Sequence, residues 1–331
     1  MPARRVTARD VARHAGVSQS TVSYVLNDTP NQTFPETTRA KVRQAARELG
    51  YTPSAAARAL RRGTSESVLI VLPDAPVGEN FARVIESITE VVEPHGYSVV
   101  YRRQKDARSL SSLWHELMPA AIANLAAFTI EEREKIEQAG IPVVASSLDI
   151  GDPQALSVPQ MLVGRMHVKH LVERGHTRIA FAASADPMVG EFLTRRLEGV
   201  RAECEERGLP APIVVAVPLD EDAAARAVSE LVEGPDPVTA VSAYNDEVAF
   251  AILAGMRCHG LCAPDDLAVI GVDNISLAQF AVPPLTTVDI HADAIGRRVG
   301  RLLLGRLKPE LALAMAETPE VPVDLVLRRS T

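Results

Sequence analysis

Four side chains in "SQSTVSY", residues 18–24, could read a hydrogen-bonding surface: Gln19, Ser20, Thr21 and Tyr24. An amide, two hydroxyls and a phenol supply donors and acceptors without net charge, which is the chemistry that tells base edges apart in a DNA groove. Two further clusters, "YND" (Tyr244, Asn245, Asp246) and "GVDN" (Gly271, Val272, Asp273, Asn274), each close an apolar run. Amides and carboxylates at such positions can hydrogen-bond a small ligand. Other chemistry is weaker. "CHGLC", Cys258 to Cys262, lacks the second Cys or His pair that a structural zinc site needs. "HVKH" sets His167 and His170 one helical turn apart with no acidic third ligand nearby, so solvated or capping histidines are expected there and no metal. There is no GxxxxGK[ST] phosphate loop and no GxSxG elbow, and "GRRVGRLLLGR" reads as a helix. No cofactor and no enzymatic activity are expected.

The base-reading candidates sit in a stretch, "DVARHAGVSQSTVSYVLN", that reads as two short helices. Val11, Ala12 and Ala15 share one face of the first, and Val22, Val25 and Leu26 one face of the second. Gly16 permits the sharp turn between them, and Ser18 is a good N-cap for the second helix. Small residues at the crossing make this a helix-turn-helix that leaves Gln19, Ser20, Thr21 and Tyr24 outside. A third helix comes next in "PETTRAKVRQAARELG": Val42, Ala45, Ala46 and Leu49 recur at helical spacing, Pro35 suits the first turn and Gly50 the C-terminal cap. After "YTPS", Ser54 can cap a short helix, "AAARALRR", before a linker at Gly63, Thr64 and Ser65.

Charge divides the chain in the same place. Residues 1–63 hold 11 Lys and Arg against 4 acids, a net of +7, and the remainder carries −14. A basic head on an acidic body implies that only the head meets a polyanion, solvated helix faces being the plainer alternative. From residue 66 the texture changes to "SVLIVLP", "SVVYR", "IPVVASS", "RIAFAAS", "VTAVSAYN" and "LAVIGVD", read as buried strands. Between them lie amphipathic stretches such as "FARVIESITEVVEPHG", "MHVKHLVERG", "RRLEGVRAECEERG" and "DEVAFAILAGMRCHG". This βαβ alternation implies parallel sheets with helices on both faces, and a break near "LDIGDPQALSVPQ" suggests two similar halves. No apolar run is long enough to cross a bilayer, and "MPARRVTARD" has no signal-peptide pattern. With three cysteines in no disulfide framework, a cytoplasmic protein is expected.

Together these motifs resemble the lactose-repressor (LacI/GalR) family of bacterial transcription factors. The resemblance runs from "VTARDVARHAGVSQSTVSYVLN" through "TRAKVRQAARELGYTPSAAARALR", "HLVERGHTRIAF", "RRLEGVR", "YNDEVA" and "APDDLAVIGVDN" to "VPPLTTV". It implies an α headpiece of three helices plus a hinge helix, followed by a periplasmic-binding-protein-like α/β core of two parallel-sheet subdomains. The expected boundaries are 1–52 for the headpiece, 53–65 for hinge and linker, and 66–331 for the core. Its N-subdomain would take about 66–159 and 289–318, and its C-subdomain about 160–288 and 319–331.

The resemblance also implies function. Gln19, Ser20 and Tyr24 would face the major groove, with Thr21 and Ser54 in the same DNA-binding set, and Leu60 would wedge into the minor groove at the operator centre. The plainer reading of Leu60 is an ordinary packing leucine. Tyr24 departs from the Arg of many relatives, which leaves the operator sequence open. Effector contacts fall to Arg196, Asn245 and Asp273, the alternative being that Asn245 and Asp273 only cap helices and Arg196 is solvated. "GEN" (Gly78, Glu79, Asn80) before Phe81 replaces the Asn-Pro-Phe of relatives, and should close on the ligand from the first half. Aromatic residues make up 4% of the chain, so a stacked sugar ring or purine is poorly supported. The expected protein is a repressor that binds a near-palindromic double-stranded operator as a homodimer and responds to a small polar effector. No leucine heptads come after "VDLVLRRST", which argues against a tetramer. A solute-binding protein or sugar-processing enzyme sharing the core is the competing reading, disfavoured by the headpiece.

Overall fold

The computed structural model describes residues 6–27, 33–52, 59, 63–74, 77–104, 114–126, 128–145, 160–233, 237–312 and 323–331. Ser54, Leu60 and most of the expected break between the two halves lie outside them. The chain divides into a small N-terminal unit, essentially residues 1–66, and a large unit containing nearly all of the rest.

In the small unit, α1 (Ala8–Ala15), α2 (Gln19–Leu26) and α3 (Glu36–Glu48) pack around Val11, Ala12, Val22, Val25, Val42, Ala45 and Ala46. Each fully buried valine contributes about 1.5–3 kcal/mol, which is what a domain this small depends on. Thr7 and Asp10 form a reciprocal capping box at the start of α1. Gly16 ends that helix in the left-handed region at φ 67°, a conformation that favours glycine. Ser18 then caps α2, its Oγ accepting the Thr21 N–H at 3.0 Å. Pro35 is the residue before α3, one position earlier than its expected place inside the first turn.

The large unit contains two sheets. The first is parallel, in the order β2-β1-β3-β4, from β1 (Ser67–Leu72), β2 (Ser98–Arg103), β3 (Ala121–Asn124) and β4 (Val143–Ala145). Its helices include α4 (Glu79–Val92) and α5 (Ile130–Gln138). The second sheet runs β10-β9-β8-β7-β5-β6. Its elements are α6 (Gln160–Glu173), β5 (Ile179–Ser184), α7 (Gly190–Glu206), β6 (Ile213–Val217), α8 (Glu221–Val232), β7 (Ala240–Ala243), α9 (Asp246–Cys258), β8 (Ala268–Val272) and β9 (Thr286–Asp289). After β9 the chain returns to the first lobe as α10 (Ala292–Leu307), whose Ile295, Val299 and Leu303 share a core with Val84 and Ile88 of α4. It then comes back as β10 (Asp324–Val326).

Three expectations need correction. β2 is an edge strand and not a buried one, with Tyr101 51% exposed, because nothing pairs with its outer side among the described residues. β10 runs antiparallel to β9, so the second sheet is not wholly parallel. His167 and His170 are neither solvated nor capping: both are buried within α6.

Close helix contact in the second lobe depends on glycine. A Cβ on Gly199 of α7 would lie 2.0 Å from the Met161 carbonyl oxygen of α6, and one on Gly164 would lie 2.1 Å from the Arg196 carbonyl oxygen. The backbones therefore touch where Arg196 leaves α7.

Candidate nucleic-acid interface and ligand cavity

On the small unit, Gln19 and Ser20 are exposed in the first turn of α2, Thr21 is half-buried and Tyr24 is exposed. The first turn has no acidic residue. Its N–H groups and the positive end of the helix dipole are thus not offset by a carboxylate on the helix itself, the arrangement that favours a phosphate. The Ser18 hydroxyl lies 2.8 Å from those of both Ser20 and Thr21, so these two share the capping cluster, while Gln19 extends beyond it. Tyr24 is held from one side: its ring stacks on Phe34 at 6.2 Å between centroids and 23° between planes. The sequence did not couple these two aromatics, because residues 28–32 lie between α2 and Phe34 and carry no pattern of their own.

In the large unit a cavity of about 440 Å³ opens between the two lobes. Gly78, Glu79, Asn80 and Phe81 line it from the first lobe, as expected, and Arg196, Asn245 and Asp273 line it from the second. Phe81, Val84, Leu125, Phe192, Ile290 and Ile295 make much of the wall apolar.

Arg196 is buried rather than solvated. Its Nε donates to Gln160 Oε1 at 2.7 Å, Nη1 donates to the Tyr244 carbonyl, and Nη2 lies 3.6 Å from Asp273 Oδ1. The guanidinium also sits 4.8 Å from the centre of the Tyr244 ring. Each of its three nitrogens therefore faces a protein partner, two of them through hydrogen bonds. Asn245 does cap α9, its Oδ1 accepting the Val248 N–H at 3.0 Å, which was the alternative reading of this residue. Its amide nitrogen remains at the cavity with only a 3.4 Å contact to Glu247.

Asp273 caps nothing. It holds φ at 108°, a left-handed value unusual for a side chain with a Cβ, fixed by its own N–H donating to Val288 O at 2.8 Å. Burial raises its pKa to about 6 against the opposing pull of Arg196. The Asn80 amide is near enough to ease ionisation of this carboxyl, yet neither polar atom of Asn80 completes a hydrogen bond of normal geometry among the described residues. Asp273 Oδ1 has no hydrogen-bond donor there either.

Several groups support the site in ways their sequence motifs did not specify. Asp246, the first residue of α9, is fully buried, and burial pushes its pKa up to about 8 even though Thr287 Oγ1 and the Ile275 N–H donate to it. Tyr244 is likewise raised to about 12 by burial. His167 joins the ends of two strands: Nε2 lies 2.9 Å from Gly271 O and Nδ1 lies 2.8 Å from Ser242 Oγ. A carbonyl only accepts, so Nε2 carries the proton and Nδ1 accepts from the Ser242 hydroxyl. Burial, with Arg196 nearby, lowers the His167 pKa to about 3, which keeps the ring neutral. This ring thereby couples the β7 end before Asn245 to the β8 end before Asp273. Across the mouth, the Glu79 carboxylate accepts from the Ser276 N–H at 3.0 Å and the Ser276 hydroxyl at 2.7 Å, tying α4 to the loop after β8. Cys258 and Cys262 are exposed free thiols, and no metal-binding group of three or more His, Cys, Asp or Glu occurs among the described residues.

A helix-turn-helix unit with an uncharged reading face, followed in the same chain by a two-lobed α/β core around a ligand-sized cavity, defines a class: the DNA-binding regulator. Comparison with known proteins specifies the family. Residues 7–54 match the model for bacterial regulatory proteins of the lacI family, and residues 168–331 match a periplasmic binding protein-like domain. The HTH-type transcriptional repressor PurR of Vibrio atlanticus is 30% identical, covering 91% of this chain and 92% of its own. The HTH-type transcriptional regulator DegA of Bacillus subtilis is 29% identical over 99% of this chain and 98% of its own. A lac repressor dimer bound to operator and an anti-inducer shares the fold with a TM-score of 0.81 at 23% identity, 99% of each chain being covered. The regulator CelR, in complex with cellobiose, aligns with a TM-score of 0.67 at 26% identity over 99% of this chain and 100% of its own. The chain belongs to the lacI family of bacterial regulatory proteins and is a DNA-binding transcriptional regulator.

Proposed function

We propose that this regulator is a repressor that binds a near-palindromic operator as a homodimer, and that a small molecule in the inter-lobe cavity alters its operator affinity. The observation that carries the reading is the exposed, uncharged Gln19 at an α2 N-terminus without acid, within a segment whose net charge is +7 over residues 1–63. Gln19 is suited to a bidentate contact with adenine, while Ser20, Thr21 and Tyr24 position the helix on the groove. Ser54 and Leu60 act in a hinge at 53–65 that joins the headpiece, 1–52, to the core, 66–331, Leu60 wedging between base pairs. In the core, Arg196, Asn245 and Asp273 contact the effector. The protein acts in the cytoplasm and catalyses no reaction. No helix among the described residues is long and apolar enough to cross a membrane.

The test is selection from a random pool of duplexes by the full-length protein, with sedimentation of the selected complex. Enrichment of two inverted half-sites bound by two chains is the expected result. Enrichment of a single unrepeated site, or four chains per duplex, would overturn the dimeric reading, and no enrichment at all would overturn operator recognition.

A further inference from the structure

The cavity is charged as well as shaped. Among its described lining residues are the carboxylates of Glu79, Asp186, Glu247 and Asp273 and a single cation, Arg196. That cation is already partnered: Gln160 and the Tyr244 carbonyl hold two of its nitrogens, and the charge of Asp273 faces the third at 3.6 Å. A carboxylate or phosphate entering the cavity would have to displace Asp273 from Arg196 while lying among the remaining acids. Such a site costs an anion its hydration and returns no free donor of opposite charge. Buried acceptors there also await a donor: Asp273 Oδ1 and Asn80 Oδ1 have none among the described residues, and the donors left at the cavity, Asn80 Nδ2 and Asn245 Nδ2, are neutral amides. The wall beside them is apolar, with Phe81, Phe192 and Ile295, which suits an organic body rather than a hydrated metal ion.

We propose that this cavity selects small organic cations, such as amines or guanidines on an apolar body, and rejects anions. This rests on the reading of the cavity as the effector site and narrows the class of effector it takes. The ligand's cationic head meets Asp273 and Asn80, with Asp186 and Glu247 adding to the field. Its body lies against the phenylalanines. An inward field of several acids in a low-dielectric cleft raises the local concentration of cations roughly tenfold or more.

The field can be read without knowing the ligand. Ser184 lines the cavity, so the full-length protein would carry Ser184→Cys with the exposed Cys258 and Cys262 changed to Ser, leaving only the buried Cys204. Its thiolate would be reacted with 2-aminoethyl and 2-sulfonatoethyl methanethiosulfonate, each forming a mixed disulfide and releasing methanesulfinate. The rate ratio, cation over anion, is compared with that of free 2-mercaptoethanol. The expected result is a ratio at least about tenfold above the free thiol, as such fields produce. It should fall in Asp273→Asn, and also in Glu247→Gln, an exposed site whose substitution leaves the Arg196 contacts in place. A ratio equal to or below that of the free thiol would overturn the proposal. Operator binding, measured on the same protein, separates the two readings. A flat ratio, with operator affinity altered when the Ser184→Cys thiol in the cavity is modified, removes only the charge selection; a high ratio, with operator affinity unmoved by either modification, removes the cavity as effector site.

Discussion

His167→Gln tests whether the buried ring holds the cavity's strand ends as described. Glutamine can offer one donor to Gly271 O and one acceptor to Ser242, but it cannot gain a proton. At pH 7.5 the wild-type ring is neutral and fits both partners, so the substitution should cost about 1–3 kcal/mol for imperfectly remade buried hydrogen bonds. The pH dependence is more informative. The His167 pKa is about 3 in the folded protein against 6.5 for a free histidine. A depressed folded value means that its contribution to stability is complete above 6.5 and is lost as pH falls toward 3. At pH 4.5, about two units below the unfolded value, the loss is on the order of 3 kcal/mol. Asp246 and Asp273 act in the opposite sense. Their folded values, about 8 and about 6, lie above the ordinary 3.8, so their contribution is complete below 3.8 and is lost as pH rises through those values. Absolute stability therefore mixes the groups, whereas the difference between wild type and His167→Gln isolates the histidine. Urea unfolding at a series of pH values should show the wild-type advantage falling between pH 7.5 and pH 4.5 by an amount on the order of 3 kcal/mol, enough to cancel it or reverse its sign. A difference that stays constant across this range would refute the neutral, doubly bonded imidazole.

Three other outcomes rest on the same geometry. Gly199→Ala should destabilise the core by at least about 2 kcal/mol in denaturant unfolding, because its Cβ would lie 2.0 Å from the Met161 carbonyl and only helix separation relieves the clash; an unchanged midpoint would show that α6 and α7 do not touch there. Glu79→Ala removes the acceptor of the Ser276 N–H, so amide exchange at Ser276 should accelerate, and unchanged protection would mean that the clasp across the mouth does not form. Asp273→Ala should abolish the change in operator affinity caused by an effector while leaving effector-free operator binding intact, coupling in such switches being about 1–3 kcal/mol; a variant that responds as wild type does would remove Asp273 from the effector site.

The parts legible in the sequence were those with local signals. Gly16, Ser18 and the spacing of Val11, Val22 and Val25 mark the two-helix turn because caps and buried faces are set within a few residues. β1, β5 and β8 announced themselves as apolar runs because they are buried on both faces. β3 did not, since "AIAN" is short and half alanine, and neither did β9, whose "TTVD" is too polar to read as an interior strand. α8, "EDAAARAVSELV", was missed although Ala224, Ala227, Val228 and Leu231 form a buried stripe, because half of that stripe is alanine. The clusters holding Asn245 and Asp273 stood out because strand ends are where α/β folds bind ligands, and the two residues were singled out within them by the family resemblance. His167 could not be placed, because its partners are 75 and 104 residues away and a histidine pair three apart says nothing about its surroundings. Gln160, which anchors Arg196 across 36 residues, is invisible for the same reason.

The central claim is that α2 reads bases through Gln19, and it is tested by the affinity of wild type and Gln19→Ala for the selected operator and for its single-base variants, each across a salt series. The expected result is a loss of about 1–3 kcal/mol concentrated at one position of each half-site, with discrimination relaxed there and the slope of affinity against salt unchanged, because a base contact releases no counterions. An equal loss for every sequence, or a shallower salt slope, would contradict it by showing that Gln19 serves the phosphate backbone or only the fold of the headpiece.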